Sequence, residues 1–107
     1  MSAQPAAFDD VIHAPHRLRI MVALAEVDKL EFQALRDDLA VADSVLSKQL
    51  KVLAEAGYAK LDKPTGLGGR PRTWVRITRS GHRALAGHLA ALHELALQAG
   101  LDHERES

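Results

Sequence analysis

The chain of 107 residues carries 14 basic and 14 acidic residues, six His, no Cys and only four aromatic residues. This length suits one domain with one core, which excludes a two-domain enzyme. The lack of Cys excludes a disulfide framework, a thiolate metal site and a cysteine nucleophile, and we expect a cytoplasmic protein. No apolar run approaches the roughly 20 residues that span a bilayer, and residues 1–7 lack the features of an export signal, so we expect no membrane partner.

The balanced net charge hides a strong segregation of charge along the chain. Residues 1–43 contain four basic and eight acidic residues, and residues 84–107 contain one and four. Residues 44–83 have the opposite balance, with only two acidic residues against nine basic ones, namely Lys48, Lys51, Lys60, Lys63, Arg70, Arg72, Arg76, Arg79 and Arg83. A localised positive segment is typical of a surface that binds phosphates, although a solvated charged face is the alternative.

An apolar stripe at helical spacing predicts the first helix. A polar leader over residues 1–12 precedes it, and Pro15 suits its first turn, where a missing N–H costs nothing. The stripe predicts a helix that continues to about Val27, and its main members are Leu18, Met21, Val22 and Ala25. A brief extended segment follows at residues 30–32.

Two more helices, joined by a short connection, predict a helix-turn-helix. Leu35 and Leu39 indicate a helix over about 33–40, and an amphipathic helix then runs to Gly57, a natural left-handed C-cap. Asp43 or Ser44 can cap the start of this third helix. Its polar side carries Ser47, Lys48, Gln49 and Lys51.

The following residues predict a hairpin and a long last helix. Strands over 58–62 and 72–78 surround a loop at 63–71 that is rich in Gly and Pro. Val75 and Ile77 alternate with more polar positions, as in a half-buried strand. Thr78 caps the last helix, at about 79–100, whose apolar surface is too wide for one small domain to cover.

These segments resemble the winged helix-turn-helix transcription regulators of bacteria and archaea, of the MarR and ArsR kind. The resemblance covers about residues 13–98 and rests on "HAPHRLRIMVAL" from His13, "LSKQLKVLAEAGY" from Leu46, "GRPRTWVRIT" from Gly69, and Gly81 at the start of the last helix. It implies one domain over 1–107 of the α+β class, mainly helical: a winged helix-turn-helix with a two-stranded wing over 13–78, a dimerisation helix over 79–100 and a tail over 101–107. Such proteins often have a Ser or Thr cap where this chain has Ala42, so we place the cap on Asp43.

The resemblance implies a homodimeric repressor that binds a palindromic operator in double-stranded DNA. The third helix would enter the major groove, and the wing would lie along the minor groove. The expected DNA contacts are Ser44, Val45, Ser47, Lys48, Gln49, Lys51, Arg70, Arg72 and Thr73. Gln49 can pair bidentately with adenine. Alternatively, Lys48 and Lys51 form a solvated face, and Arg72 or Arg76 pairs with a carboxylate such as Asp62. Trp74 and Tyr58 are expected to pack rather than to stack on bases.

The wide apolar surface of the last helix also implies a dimer interface, which this helix would form together with the start of the first helix. We expect it to contain Leu85, Leu89, Leu92, Leu95 and Ala96. The alternative is that Leu85, Leu89 and Leu92 cover the core of a monomer. A small-molecule effector, if one exists, would act between this helix and the DNA-binding unit.

Other functions fit the sequence less well. A metal-responsive regulator would use His82, His88, His93 and His103, but His88 and His93 are five residues apart and splay around a helix, so we expect no metal. No Gly-rich phosphate loop follows a strand, and no acid stands paired with a nucleophile, so we expect neither an enzyme nor a cofactor. A winged helix that binds a protein would show exposed apolar residues on the third helix and the wing.

Overall fold

The computed structural model describes residues 5–63 and 72–100. Five helices and three short strands follow one another as α1 (Asp10–His13), α2 (Pro15–Ala25), β1 (Leu30–Glu31), α3 (Phe32–Leu39), α4 (Asp43–Glu55), β2 (Ala59–Asp62), β3 (Trp74–Ile77) and α5 (Arg79–Gln98). This mainly helical α+β architecture confirms the predicted fold class. The first predicted helix ends two residues early, at Ala25. In the described ranges, no helix is long and apolar enough to cross a membrane.

The segment predicted as a polar leader contains a helical turn. Asp9 is the N-cap of α1, and its side chain accepts a hydrogen bond from the Ile12 backbone N–H at 3.0 Å. The Ile12 side chain is fully buried in the core. Residues 9–13 are therefore part of the domain, whereas residues 1–4 lie outside the described ranges.

The helix-turn-helix forms as predicted, but its cap was assigned to the wrong residue. Ala42 is the N-cap of α4 and makes no side-chain cap hydrogen bond, while Asp43 and Ser44 lie inside the helix. The Asp43 carboxylate instead accepts a hydrogen bond from Arg36 Nη1 of α3 at 2.8 Å. This ion pair joins the two helices across the turn. At the other end, Gly57 has φ +82°, as predicted for a left-handed residue after the helix.

The hairpin belongs to a three-stranded sheet rather than a two-stranded one. The strand order is β1-β3-β2, with both pairings antiparallel. Leu30 of β1 pairs with Val75, so the brief extended segment predicted at residues 30–32 becomes an edge strand of the sheet. The predicted alternation in β3 is confirmed, because Val75 and Ile77 are buried and Trp74 and Arg76 are half-buried. Most of the hairpin loop, residues 64–71, lies outside the described ranges.

The core lies between α2, α3, α4, the sheet and the start of α5. Its members are Ile12, Ile20, Met21, Leu24, Leu35, Leu39, Leu46, Leu50, Leu53, Ala59, Val75, Ile77 and Leu85. Thr78 caps α5 as predicted, since its hydroxyl accepts a hydrogen bond from the Gly81 N–H at 2.9 Å. In α5, Gly81, Leu85, Gly87 and His88 are buried, and no residue from 89 to 98 is. Only the first half of α5 therefore packs into the core of its own chain.

Candidate nucleic-acid interface

The polar side of α4 faces away from the core. Leu46, Leu50 and Leu53 fill the core from one side of this helix. On the outer side, four of the predicted DNA contacts are exposed, namely Ser44, Ser47, Lys48 and Lys51. A helix that buries a narrow apolar stripe and exposes hydroxyl and ammonium groups has the form required to enter a major groove.

Two other predicted contacts, Val45 and Gln49, lie on the flank of α4. Both are half-buried. The Gln49 Oε1 atom accepts a hydrogen bond from Arg17 Nη1 of α2 at 2.7 Å. The amide group of Gln49 is therefore held by the protein itself, which the sequence analysis did not predict.

An open groove of about 740 Å³ separates α4 from the sheet. Ser47 and Lys51 line it from α4, while Lys60, Lys63 and Thr73 line it from the hairpin. Within the part of the chain that the structure describes, no carboxylate forms an ion pair with any of these three lysines. The groove thus brings three positive charges to one surface, one from α4 and two from the hairpin, beside the Asp43 carboxylate that already pairs with Arg36. Lys60 and Lys63 were counted in the basic segment but were not predicted as contacts.

The arginines of the wing already have acidic neighbours. Arg76 lies 3.7 Å from the Asp62 carboxylate across the hairpin, the pairing that the sequence offered as an alternative to DNA contact. Arg72 lies 3.5 Å from Glu31 of β1, so its partner is a different carboxylate from the one considered. The Arg72 side chain is 65% exposed, which leaves most of it accessible to a phosphate. Arg70 lies outside the described residues.

The expected packing of Trp74 and Tyr58 agrees with their surroundings. Trp74 is half-buried, and the Lys29 ammonium lies 4.6 Å from its ring centroid, a cation–π contact. Tyr58 packs against the core and donates a hydrogen bond from its hydroxyl to Asp9 Oδ2 at 2.6 Å. This hydrogen bond to a carboxylate raises the pKa of Tyr58.

The residues expected at a dimer interface fall into two groups. Leu85 is only 5% exposed and belongs to the core of its own chain, so we leave it out of the interface. Leu89 and Leu95 are 41% and 51% exposed, and Leu92 and Ala96 are half-buried. The second half of α5 therefore presents a row of apolar side chains beyond the core.

His88 joins α5 to α1, an arrangement that the sequence analysis missed. The ring is fully buried. Its Nδ1 accepts a hydrogen bond from the Asp9 N–H at 3.0 Å, so the neutral ring carries its proton on Nε2, which lies 3.3 Å from His13 Nδ1. The Phe8 ring packs against both imidazoles. In the described ranges, no three His, Asp or Glu side chains come together as a metal site, and His103 lies outside them.

The burial of His88 beside His13 predicts that the protein becomes less stable in mild acid. Burial lowers the pKa of His88, as does the adjacent His13, while Asp9 and Asp10 oppose the shift. In the unfolded chain His88 has the ordinary histidine pKa of 6.5. At a pH below this value the unfolded chain therefore binds more protons than the folded one. The contribution of neutral His88 to the free energy of unfolding is complete above the pKa of the unfolded state. It is lost as the pH falls from that pKa towards the lowered pKa of the folded state. Urea unfolding at a series of pH values should show this loss in the wild type and a smaller loss in His88→Gln, and an equal loss in both would contradict it.

The comparison with protein families decides the identity of the fold. Residues 16–96 match the family described as the winged helix DNA-binding domain. The chain belongs to this family. In the terms of a winged-helix protein, α4 is the recognition helix, and the β2–β3 hairpin with its loop is the wing.

Individual relatives of this winged-helix chain agree with the assignment. An uncharacterised protein of Methanocaldococcus jannaschii is 29% identical over 80 residues, which cover 75% of this chain and 86% of that protein. The structure of a transcriptional regulator homologue from Pyrococcus horikoshii OT3 is 32% identical, with a TM-score of 0.75 over 86% of this chain and 88% of that one. A PadR family transcriptional regulator from Eggerthella lenta is 25% identical, with a TM-score of 0.64 over 80% and 82%. The winged-helix protein is accordingly a DNA-binding transcriptional regulator.

Proposed function

We propose that the protein is a homodimeric repressor that binds a palindromic operator in double-stranded DNA. The observation that carries this proposal is the convergence of Lys51, Lys60 and Lys63 on one groove, beside the exposed side of α4. Lys48 and Ser44 extend the same exposed side of the recognition helix. In this arrangement α4 enters the major groove of the DNA. The three lysines that line the groove of the protein then contact the phosphates along the edge of the major groove.

The geometry of α5 supports the proposal of a dimer. Leu89, Leu92 and Ala96 follow Leu85 at spacings of four, three and four residues, so the four lie on one stripe of the helix. The first member of this stripe is in the core, and the other three continue it where their own chain covers them only in part. The same stripe on a second copy would cover these residues with a two-fold axis between the copies. Such a dimer reads two half-sites about 34 Å apart, one turn of DNA.

Repression is the simplest consequence of such a complex. A dimer seated on an operator excludes the polymerase from the base pairs that it covers, and this needs no further contact with the transcription machinery. Transcription in vitro from a promoter that contains the operator should fall as the protein is added. An increase in transcription would make the protein an activator instead.

The experiment that tests DNA recognition is selection from a pool of random duplexes, followed by sequencing, with the mass of the protein measured by light scattering. We expect an inverted repeat bound by a dimer, with an affinity that falls steeply as salt rises. Weak binding without any motif at both low and high salt would overturn the proposal and would favour a protein partner for the wing.

Lys51 supplies a sharper test of the phosphate contacts. Lys51→Ala should weaken binding to all duplexes alike and reduce the slope of log affinity against log salt by about 1.8, the value for two phosphates, one neutralised by each protomer of the dimer. The matched control is Arg19→Ala, which removes one exposed positive charge from α2, beside Val22 and Glu26. Fluorescence anisotropy at four salt concentrations gives both slopes. Equal slopes for the two variants would show that this groove does not meet DNA.

A further inference from the structure

The side chain of Arg17 is fixed from two directions at the junction of three helices. Its Nε donates to the carbonyl oxygen of Val11 in α1, and its Nη1 donates to Gln49 Oε1 in α4 at 2.7 Å. Arg17 itself is half-buried. A guanidinium group held at two of its nitrogens cannot swing away without breaking both hydrogen bonds, so it is a rigid partner for Gln49.

Arginine determines which end of the Gln49 amide faces it. A guanidinium group has only donors, so the amide atom at 2.7 Å must be the oxygen, and the NH₂ group must occupy the other position. This assignment follows from chemistry and does not depend on telling the two amide atoms apart. A glutamine without such a partner can rotate its amide by half a turn and offer either a donor or an acceptor. Gln49 cannot do so while Arg17 is in place.

We propose that Arg17 determines sequence specificity by positioning Gln49, so that Gln49 presents a hydrogen-bond donor to the DNA. This inference rests on the proposed function, in which α4 lies in the major groove. Gln49 is half-buried and adjacent to the exposed Lys48, so part of its side chain is accessible on the recognition helix.

The partner of this donor is a base with an acceptor in the major groove. Guanine offers N7 and O6 there, adenine offers N7 and thymine offers O4, whereas cytosine offers only a donor. The bidentate pair with adenine, which the sequence suggested, would require the Gln49 oxygen to accept a hydrogen bond from the base as well as from Arg17. The protein should therefore disfavour cytosine at the position that faces Gln49, because cytosine alone offers no acceptor there.

Two substitutions, each followed by selection from random duplexes, test this inference. The first tests whether Arg17 fixes the orientation of the amide, and the second tests whether Gln49 offers a donor to the base. In Arg17→Ala the amide can rotate and offer its oxygen to cytosine N4, so discrimination against cytosine at one position of each half-site should fall by about fivefold, within the range for one base contact. In Gln49→Glu the carboxylate still accepts from Arg17, but an acceptor replaces the donor, so the preference should shift towards cytosine, whose N4 donates. Gln49→Glu keeps the hydrogen bond from Arg17, so this variant remains informative even if Arg17→Ala folds poorly.

The controls separate a positioning role from a structural one. Arg19→Ala, on the same helix, should leave the selected motif unchanged. A purely structural role for Arg17 would lower thermal stability or overall affinity and leave the base preference at every position as in the wild type, which would overturn the inference. An unchanged motif in Gln49→Glu would also overturn it, by showing that Gln49 reads no base. If the wild type itself selects no motif, the proposed function fails, and this inference fails with it.

Discussion

Replacing Gly81 with Ala should lower the free energy of unfolding by about 2–3 kcal/mol, the upper part of the range for overpacking a core. A Cβ at this position would lie 2.2 Å from the carbonyl oxygen of Tyr58 and 2.9 Å from Ile77 Cγ1. The nearer atom belongs to the backbone, which cannot turn aside as a flexible side chain can. The first turn of α5 would have to move away from the hairpin. Urea denaturation of both proteins measures the difference.

Gly57→Ala is the matched control for this prediction. Gly57 has φ +82°, and a Cβ there would meet nothing within 4 Å. Its replacement therefore costs only the strain of a left-handed backbone, about 1 kcal/mol. A loss in Gly81→Ala no larger than in Gly57→Ala would show that α5 can shift on the hairpin at little cost.

The close approach at Gly81 joins the recognition helix, the wing and α5 at one point. The Thr78 hydroxyl donates to the carbonyl oxygen of Gly57 at 2.6 Å, and the Thr78 N–H donates to the carbonyl oxygen of Tyr58 at 3.0 Å. Gly57 and Tyr58 directly follow α4, and Thr78 directly precedes α5. The position of the recognition helix is thus set relative to the base of α5, which suits a dimer that must hold two recognition helices at a fixed separation.

Local patterns predicted the helices and strands whose apolar periodicity can be recognised within a short stretch of sequence. The apolar periodicity of α2, α3, α4 and α5 and the alternation in β3 are local, and the structure has these elements within about two residues of their predicted bounds. The helix α1 and the pairing of β1 were not predicted, because both elements are short and depend on distant partners. The helix α1 has only four residues and is held by His88 of α5, while β1 has two residues and pairs with β3.

Some features of the candidate site were likewise predicted from local patterns, and others depend on distant partners and were not predicted. Amphipathicity alone predicted that Ser47, Lys48 and Lys51 are exposed, since the buried leucines of α4 fix which side faces out, but it also placed the half-buried Gln49 on that side. It could not predict the contact between Arg17 and Gln49, which are 32 residues apart. The cap was misplaced because Asp43 has the right chemistry for a cap, and its partner on α3 is seen only when the two helices are packed.

Replacing Leu89 with Glu should abolish the dimer and reduce affinity for the operator by at least about a hundredfold, the usual gain from linking two binding sites. Leu89 is the first residue on the α5 stripe beyond the core and is 41% exposed in the single chain. A carboxylate there is well hydrated in a monomer, but it would lose that hydration between two apolar helices. The monomer should therefore remain folded, and only the association should be lost.

Val22→Glu is the control, because Val22 is 40% exposed and lies on α2. Both substitutions place one negative charge on an exposed aliphatic position, so they change net charge and repulsion from DNA equally. Light scattering should give 11.7 kDa, the mass of one chain, for Leu89→Glu and twice that mass for Val22→Glu and the wild type. Loss of the dimer in Val22→Glu alone would move the interface to α2. Tight operator binding by a monomeric Leu89→Glu would mean that one α4 suffices, and the palindromic operator would then have to be abandoned.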